Sequence, residues 1–288
     1  MTLRVGFLLP YYSRQSKSHM PAAMRMLSER GVRVDVIHPT DLVVQLSTLR
    51  AEHDLYVLKH TGSFTMSLAG ALHARGAAIL NPYAVTAALR DRIIRGLILA
   101  SAGVPTPATY VVRHPAQLAP FLDDGPLVVK PYRETGCIDN CLVRSAGDLE
   151  GLPDGKEPLI AQRYHPPDGR DLKIYSIGGT LFGVKKTFPP RTEAEKHGEP
   201  FIPSPELCEI AWLCGRAFGI DLYGVDIIES GGKPYVVDIS SMPGFKGVPD
   251  AASHLASYFH RAAERAAHAR HSVGPEAPAR PTAGDAPA

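Results

Sequence analysis

The sequence predicts an α/β fold that passes, near residue 103, into a strand-rich α+β region. Three observations carry this. Short apolar runs alternate with helical patterns over the first hundred residues at the interval of parallel βαβ units. The two prolines of Val104-Pro105-Thr106-Pro107 then set an extended connector, a natural domain boundary. Beyond it, apolar strand runs dominate, broken by Gly-Gly turns at Gly178-Gly179 and Gly231-Gly232.

The elements follow in order. Val5-Gly6-Phe7-Leu8-Leu9 is a short apolar run stopped by Pro10, which suits a buried strand. Residues 20–30 carry Ala22, Met24, Met26 and Leu27 at helical spacing and stop at Gly31. Val32, Val34, Val36 and Ile37 make the next strand, 54–59 a third and 77–80 a fourth, with a helix over about 65–75 ending at Gly76. In open parallel sheets the ligand crevice lies beyond the carboxyl ends of the strands, where Arg14, Lys17, Lys59 and His60 fall. A helix is predicted over 86–102, closed by Gly103.

Strands are then expected over 109–113, 127–131, 159–164, 172–177 and 181–188. A helix over 205–218 places Leu207, Ile210, Ala211, Cys214 and Phe218 on one face. Strands at 222–229 and 234–239 flank Ser230-Gly231-Gly232, and a helix covers 251–268. Residues 269–288 are rich in Pro and Ala with almost no bulky apolar side chain, and are expected to be disordered.

Composition excludes more than it selects. The 288 residues hold 31 Lys+Arg against 29 Asp+Glu, and a net charge of +2 is too weak to argue for nucleic acid or an anionic membrane. With 44% hydrophobic and 21% charged residues the chain reads as soluble and globular, large enough to need no metal or disulfide staples. Cys137 and Cys141 are spaced C-x3-C and Cys208 and Cys214 C-x5-C, neither a common zinc or thioredoxin spacing. They read as reduced thiols of a cytoplasmic protein. No signal-peptide pattern and no apolar stretch of about 18 residues appears, so neither export nor membrane insertion is expected.

Chemistry concentrates in the second half. Asp226 and Asp238 lie on two strands joined at a Gly-Gly turn, and such a hairpin can set them side by side on one face. Carboxylates flanked by buried Val and Ile need partners, and two together suit a cation such as Mg²⁺ with its preference for oxygen ligands. Strand-end carboxylates facing solvent or lysine are the plainer alternative. Lys130 ends the apolar strand Leu127-Val128-Val129, as a phosphate-binding point charge would, or a snorkelling surface lysine. Lys173 and Lys185 or Lys186 fall on adjacent strands of one hairpin, with solvated edge charges as the alternative. Neither G-x-x-x-x-G-K-S/T nor a G-x-G-x-x-G after a strand is present, so P-loop and Rossmann sites lose support.

Taken in order, Val129-Lys130-Pro131, Gln162-Arg163-Tyr164, Asp171-Leu172-Lys173, Lys185-Lys186, Gly224-Val225-Asp226 and Val237-Asp238-Ile239-Ser240-Ser241-Met242-Pro243-Gly244-Phe245 resemble the ATP-grasp superfamily. Asn81-Pro82, Asp91-Arg92 and Gly103-Val104-Pro105-Thr106-Pro107 extend the likeness, which runs from about residue 3 to 265. The resemblance implies an ATP-grasp fold: an N-terminal βαβ domain with linker helix (1–103) and two α+β subdomains (104–165 and 166–268) enclosing ATP, before the tail at 269–288. It implies that Lys130 and Lys173 meet the phosphates, helped by Arg92. Gln162, Arg163 and Tyr164 would meet the adenine, and Asp171 and Lys185 would complete the nucleotide set. Asp226 and Asp238 would hold Mg²⁺, with Mn²⁺ as a substitute. Where the superfamily has Asn as third ligand this chain has Ser240, so the hydroxyl of Ser240, or of Ser241, would take that place.

The likeness is to the ribosomal-protein glutamate ligase and the dipeptide ligases. It implies that a carboxylate, glutamate among the candidates, is activated by ATP as an acyl phosphate and passed to an amine. Lys173, Lys185 or Lys186, and Arg191 would hold the acceptor carboxylate, and the polar loop 189–198 is long enough for a lid, with an ordinary surface loop as the alternative. The expected partners are an amino acid or peptide and an amine, with no nucleic acid or membrane, and a homodimer as the default for a soluble enzyme. Two alternatives remain open: a kinase like the inositol phosphate kinases, for which Arg14, Lys17, Lys59 and His60 would supply basic groups, and an ATP-binding protein without catalysis.

Overall fold

Continuous apolar runs form strands covered on both faces, and three of the four strands of the first sheet are built of them, the edge strand at Arg33–Ile37 being the exception. In a computed structural model that describes residues 2–12, 16–132, 140–153, 157–187 and 192–272, β1 (Arg4–Leu8), β2 (Arg33–Ile37), β3 (Leu55–Leu58) and β4 (Ile79–Leu80) pair in parallel in the order β2-β1-β3-β4. The predicted helices appear as α1 (Met20–Glu29) and α2 (Ser63–Ala74), on opposite faces of this sheet. Leu68 and Leu72 of α2 pack with Leu8, Tyr56 and Leu58.

The helix predicted over 86–102 is two helices, α3 (Tyr83–Arg90) and α4 (Arg92–Ser101). Asp91 between them is extended (φ −88°, ψ 107°), and its Oδ1 accepts from the Ile93 and Ile94 N–H groups at 2.9 and 3.1 Å. An N-cap side chain inside an apolar periodic stretch restarts the helix in a new direction.

Two antiparallel sheets follow. β5 (Thr109–Val112), β6 (Leu127–Pro131), β7 (Cys141–Val143) and β8 (Leu159–Arg163) pair in the order β5-β8-β6-β7. They enclose a small core of Leu118, Leu127, Val129, Val143 and Ala161, capped by α5 (Ala146–Leu149). β7 and α5 are too short for a sequence period to reveal. The other sheet runs β11-β10-β9-β12-β13, with β9 (Asp171–Ile177), β10 (Thr180–Lys186), β11 (Glu199–Phe201), β12 (Leu222–Ser230) and β13 (Lys233–Ser240).

That last sheet is covered by α7 (Pro205–Phe218) on one face, where Ile174, Val225 and Ile239 meet Leu207, Ile210 and Cys214. At one end of its other face Tyr175, Ile177 and Val184 join Phe245 and the residues of α8 (Ala251–Ser272). α8 also packs on α1 and the first sheet, with Phe7 and Phe259 edge to face at 5.6 Å, so the C-terminal helix shares the core of the N-terminal sheet. It extends through Ser272, past its predicted end at 268, and the rest of the predicted tail lies outside the described residues.

Of the polar loop expected at 189–198, residues 189–191 fall outside the described residues, while Glu193–His197 form α6. Thr192 caps it: its Oγ1 accepts from the Glu195 N–H and the Glu195 carboxylate accepts from the Thr192 N–H, a reciprocal capping box. The turn after β13 presses against its end. A Cβ on Gly247 (φ +86°) would sit 2.3 Å from the His197 carbonyl oxygen, so only glycine fits there.

Candidate active site

The Gly231-Gly232 turn sets the register of the last hairpin as far as Ile227 and Val236, and a β-bulge between Asp226 and Ile227 then shifts it so that Asp226 and Asp238 become direct cross-strand partners. Lys173 on β9 lies opposite Asp226 on the other side. Since side chains alternate along a strand, Lys173, Asp226 and Asp238 form one row across three strands. The Lys173 Nζ donates to Asp226 Oδ2 at 2.7 Å. Burial, then the neighbouring Asp238, push Asp226 above the usual carboxylate range against the pull of Lys173. Gly224 keeps the row compact, because a Cβ there would lie 3.0 Å from Pro243, 3.1 Å from Tyr175 and 3.3 Å from Lys173.

Asp238 has a partner that sequence reasoning missed. Arg95 of α4 places Nη1 2.7 Å from Asp238 Oδ1, which also accepts from the Ile239 N–H at 2.9 Å. One sequence signal existed: Arg95 stands one turn beyond the N-cap Asp91, on the helix that Asp91 restarts. The two carboxylates thus offer hard oxygens side by side, a donor set that fits Mg²⁺.

The open end of this row faces the sheet of β5–β8 across a cleft of about 560 Å³ lined by Lys130, Gln162, Tyr164, Asp171, Lys173 and Lys186. Lys130 bridges it, donating to Gln162 Oε1 at 2.5 Å and to the Val237 carbonyl at 3.3 Å, and burial lowers its pKa to about 8. Lys186 shares the face of Lys173 and donates to the Tyr175 hydroxyl at 3.0 Å. Burial and the repulsion of Lys173 bring Lys186 to about 8 as well. Asp171, opposite Lys186, is pushed up by burial and by Asp226.

Not every predicted residue joins this cluster. Lys185 points to the other face of β10, where its ammonium lies 5.3 Å from the centre of the Phe201 ring, because neighbours on a strand face opposite ways. Arg163 lines the cleft, but its guanidinium donates to the carbonyls of Phe121 (2.9 Å) and Gly125 and so holds the turn ahead of β6. Arg92 donates to the Pro131 carbonyl beside Lys130. The Ser241 hydroxyl, offered as a metal ligand, is engaged by Asn81 Nδ2 at 3.1 Å and Thr86 Oγ1 at 3.2 Å. Arg14 and Arg191 lie outside the described residues.

A second cavity of about 500 Å³ adjoins the first, between the carboxyl end of the parallel sheet and the strand end at Asp238–Met242. Lys59, Ser63, Tyr83, Arg90 and Ser240 line it. Lys59 ends β3 and donates to the carbonyls of Met242 (2.5 Å) and Pro243 (3.1 Å), and burial lowers its pKa to about 8. Arg95 and Asp238 line both cavities.

With that geometry in place, the family description RimK-like ATP-grasp domain matches residues 90–258. The chain belongs to the RimK-like ATP-grasp family. It is similar to a probable alpha-L-glutamate ligase 2 of Shewanella frigidimarina, 24% identical over 250 residues that cover 77% of this chain and 84% of the relative. It is also similar to a ribosomal protein bS6–L-glutamate ligase of Shigella boydii, 26% identical over 183 residues, 59% of this chain and 61% of the relative. Among solved structures, the ATP-grasp ligase PsnB complexed with minimal precursor, Mg and ADP has a TM-score of 0.68 at 16% identity, covering 91% of this chain and 97% of that one, a likeness of fold.

As a RimK-like ATP-grasp protein the chain is an ADP-forming ligase, and ATP with Mg²⁺ is the nucleotide pair of such ligases. Among its described residues no helix is long and apolar enough to cross a membrane.

Proposed function

We propose that this ligase activates the carboxylate of an amino acid or peptide as an acyl phosphate and joins it to an amine, with glutamate as the first candidate. The observation that carries the reading is the shared wall of the two cavities: Arg95 and Asp238 border both. A nucleotide in the larger cavity would end its phosphate chain at that wall, with the carboxylate in the smaller one on the far side. The glutamate ligases to which the chain is similar make that acid the first to test.

Lys130 and Lys173 converge from facing sheets, and we assign them to the phosphates, with Lys186 completing the positive side. Gln162 and Tyr164 border the end of the cleft assigned to adenine, and Arg163 supports the turn beneath it. Asp226 and Asp238 would hold Mg²⁺, which on binding would offset phosphate charge. A carboxylate oxygen attacks the γ-phosphorus, the bond to the β,γ-bridging oxygen breaks, and ADP leaves. The amine lone pair then attacks the acyl carbon, phosphate departs with the C–O electron pair, and the amine gives up a proton.

The test is incubation with ATP, Mg²⁺ and single amino acids, following ADP, free phosphate and new amide products together. Stoichiometric ADP, phosphate and amide are expected. ADP with the phosphate retained on a hydroxyl would mark a kinase, and no turnover with any amino acid would mark a binding protein; either overturns the reading.

A further inference from the structure

We propose that the Arg95 guanidinium is a built-in cation at Asp238, and that the site therefore holds one divalent ion per bound nucleotide rather than two. The inference rests on the nucleotide reading of the cleft. Asp226 Oδ2 takes the Lys173 ammonium at 2.7 Å. Asp238 Oδ1 takes Arg95 Nη1 at 2.7 Å and the Ile239 N–H at 2.9 Å. Among the described residues, Asp226 Oδ1 and Asp238 Oδ2 are the two carboxylate oxygens of the pair that no protein group occupies.

Two divalent ions about 3.5–4 Å apart need a carboxylate that offers an oxygen to each. Asp238 has one oxygen to offer, because its Oδ1 already accepts twice, and at Asp226 the Lys173 ammonium, 2.7 Å from Oδ2, stands where a second ion on that oxygen would have to bind. Together they make two ligands for a single ion, whose remaining positions suit phosphate oxygens and water. No group of three or more His, Cys, Asp or Glu that could hold a metal ion occurs among the described residues. Ser240 adds a neutral hydroxyl at most.

Arg95 is also built into its place. Its side chain is 12% exposed, and Nη1 is within 3.3 Å of the Leu89 carbonyl and 3.5 Å of the Ile239 carbonyl. Those carbonyls come from the end of α3 and from β13, so the guanidinium is seated by both elements that flank it. An arginine does not lose its proton in a protein, so this charge is permanent. Because Arg95 borders both cavities, the permanent charge stands where phosphate would pass from nucleotide to acceptor. A second metal ion there would have to displace it.

The test counts ions. Mn²⁺ is added to the full-length protein saturated with a non-hydrolysable ATP analogue, and free Mn²⁺ is read by its electron paramagnetic resonance signal. One tightly held Mn²⁺ per protein–nucleotide complex is expected, and two would overturn the proposal. The double variant Arg95→Gln, Ser240→Asn removes the fixed charge and adds an amide oxygen, and it should hold two. One ion in that variant, with nucleotide still bound, would show that Arg95 is not what excludes the second and would overturn the proposal too. Failure of the wild type to bind the analogue would instead overturn the nucleotide reading itself, and this inference with it.

Discussion

The Lys130 ammonium lies 3.3 Å from the Val237 carbonyl oxygen, so a side chain of one antiparallel sheet touches the strand that carries Asp238 on the other. This contact spans the cleft. A phosphate entering there would meet a cation already desolvated and already aimed, which is the arrangement that makes a charge effective.

That desolvation predicts a pH dependence. Lys130 and Lys186 each stand at about 8, mainly through burial, and phosphate oxygens would favour their charged forms. Their pKa values therefore rise on binding, and binding above about pH 8 takes up protons. Affinity for ATP should be full well below pH 8 and fall as pH rises through it, by up to about tenfold per pH unit for each lysine. Calorimetry at about pH 9 in buffers of different ionisation enthalpy should show this uptake, reduced in Lys130→Met. A pH-independent affinity would remove both lysines from the phosphate site.

Strand alternation separates two adjacent lysines. Lys186→Ala should raise KM for ATP or lower kcat by about tenfold to a hundredfold, as expected for a lost charged hydrogen bond. Lys185→Ala should stay within about twofold, because its ammonium lies over Phe201 on the other face. Steady-state kinetics of the two variants side by side decide the point.

Asp238→Ala should abolish ATP turnover, by a factor on the order of 10³ or more, while leaving the fold largely intact. Two effects oppose each other in its stability. Arg95 loses its carboxylate, and Asp226 loses a repelling neighbour. The expected change in Tm is accordingly a few degrees, read by thermal unfolding beside the activity assay. Near-normal activity would sink the metal assignment.

Asn81 is a buried pin between the N-terminal sheet and the strands of the site. Its Nδ2 donates to the carbonyls of Leu222 (2.7 Å) and Ser241 (2.6 Å) and meets the Ser241 hydroxyl. Asn81→Ala leaves those acceptors without a donor and should cost about 1–3 kcal/mol, seen as a lower urea midpoint at unchanged m-value. Asn81→Asp, which turns a donor into a further acceptor, should cost more. Equal stability of the two variants would contradict the donor role.

Legibility in the sequence followed the range of the interaction. That Asp226 and Asp238 lie on one hairpin could be read from its Gly-Gly turn, but their direct pairing depends on a β-bulge between Asp226 and Ile227 that no turn signal marks. The helix read as about 205–218 from its apolar face spans Pro205–Phe218, with Ser204 capping its start and Gly219 its end. Lys185 and Lys186 could not be told apart, because which face of β10 looks into the cleft depends on what covers the other face. α6 escaped notice since one helical turn carries no period, although its Thr192–Glu195 capping box was there to be found.

By itself the sequence determined the parallel sheet, the two strand-rich parts after residue 103 and the hairpin whose strands carry Asp226 and Asp238. Hydrophobic period, turn glycines and proline connectors act over a few residues, and these features need nothing more. Only the tertiary structure decided that Arg95 belongs to Asp238, Lys59 to the Met242 and Pro243 carbonyls, and Asn81 to Ser241. Those partners stand 143 to 184 positions apart in the chain (from 238 − 95 = 143 for Arg95 to 184 for Lys59 and Pro243). They meet because burial of α7 and α8 against the sheets brings their elements together. Burial is non-directional, and a polar contact is specific only once that packing has set its distance.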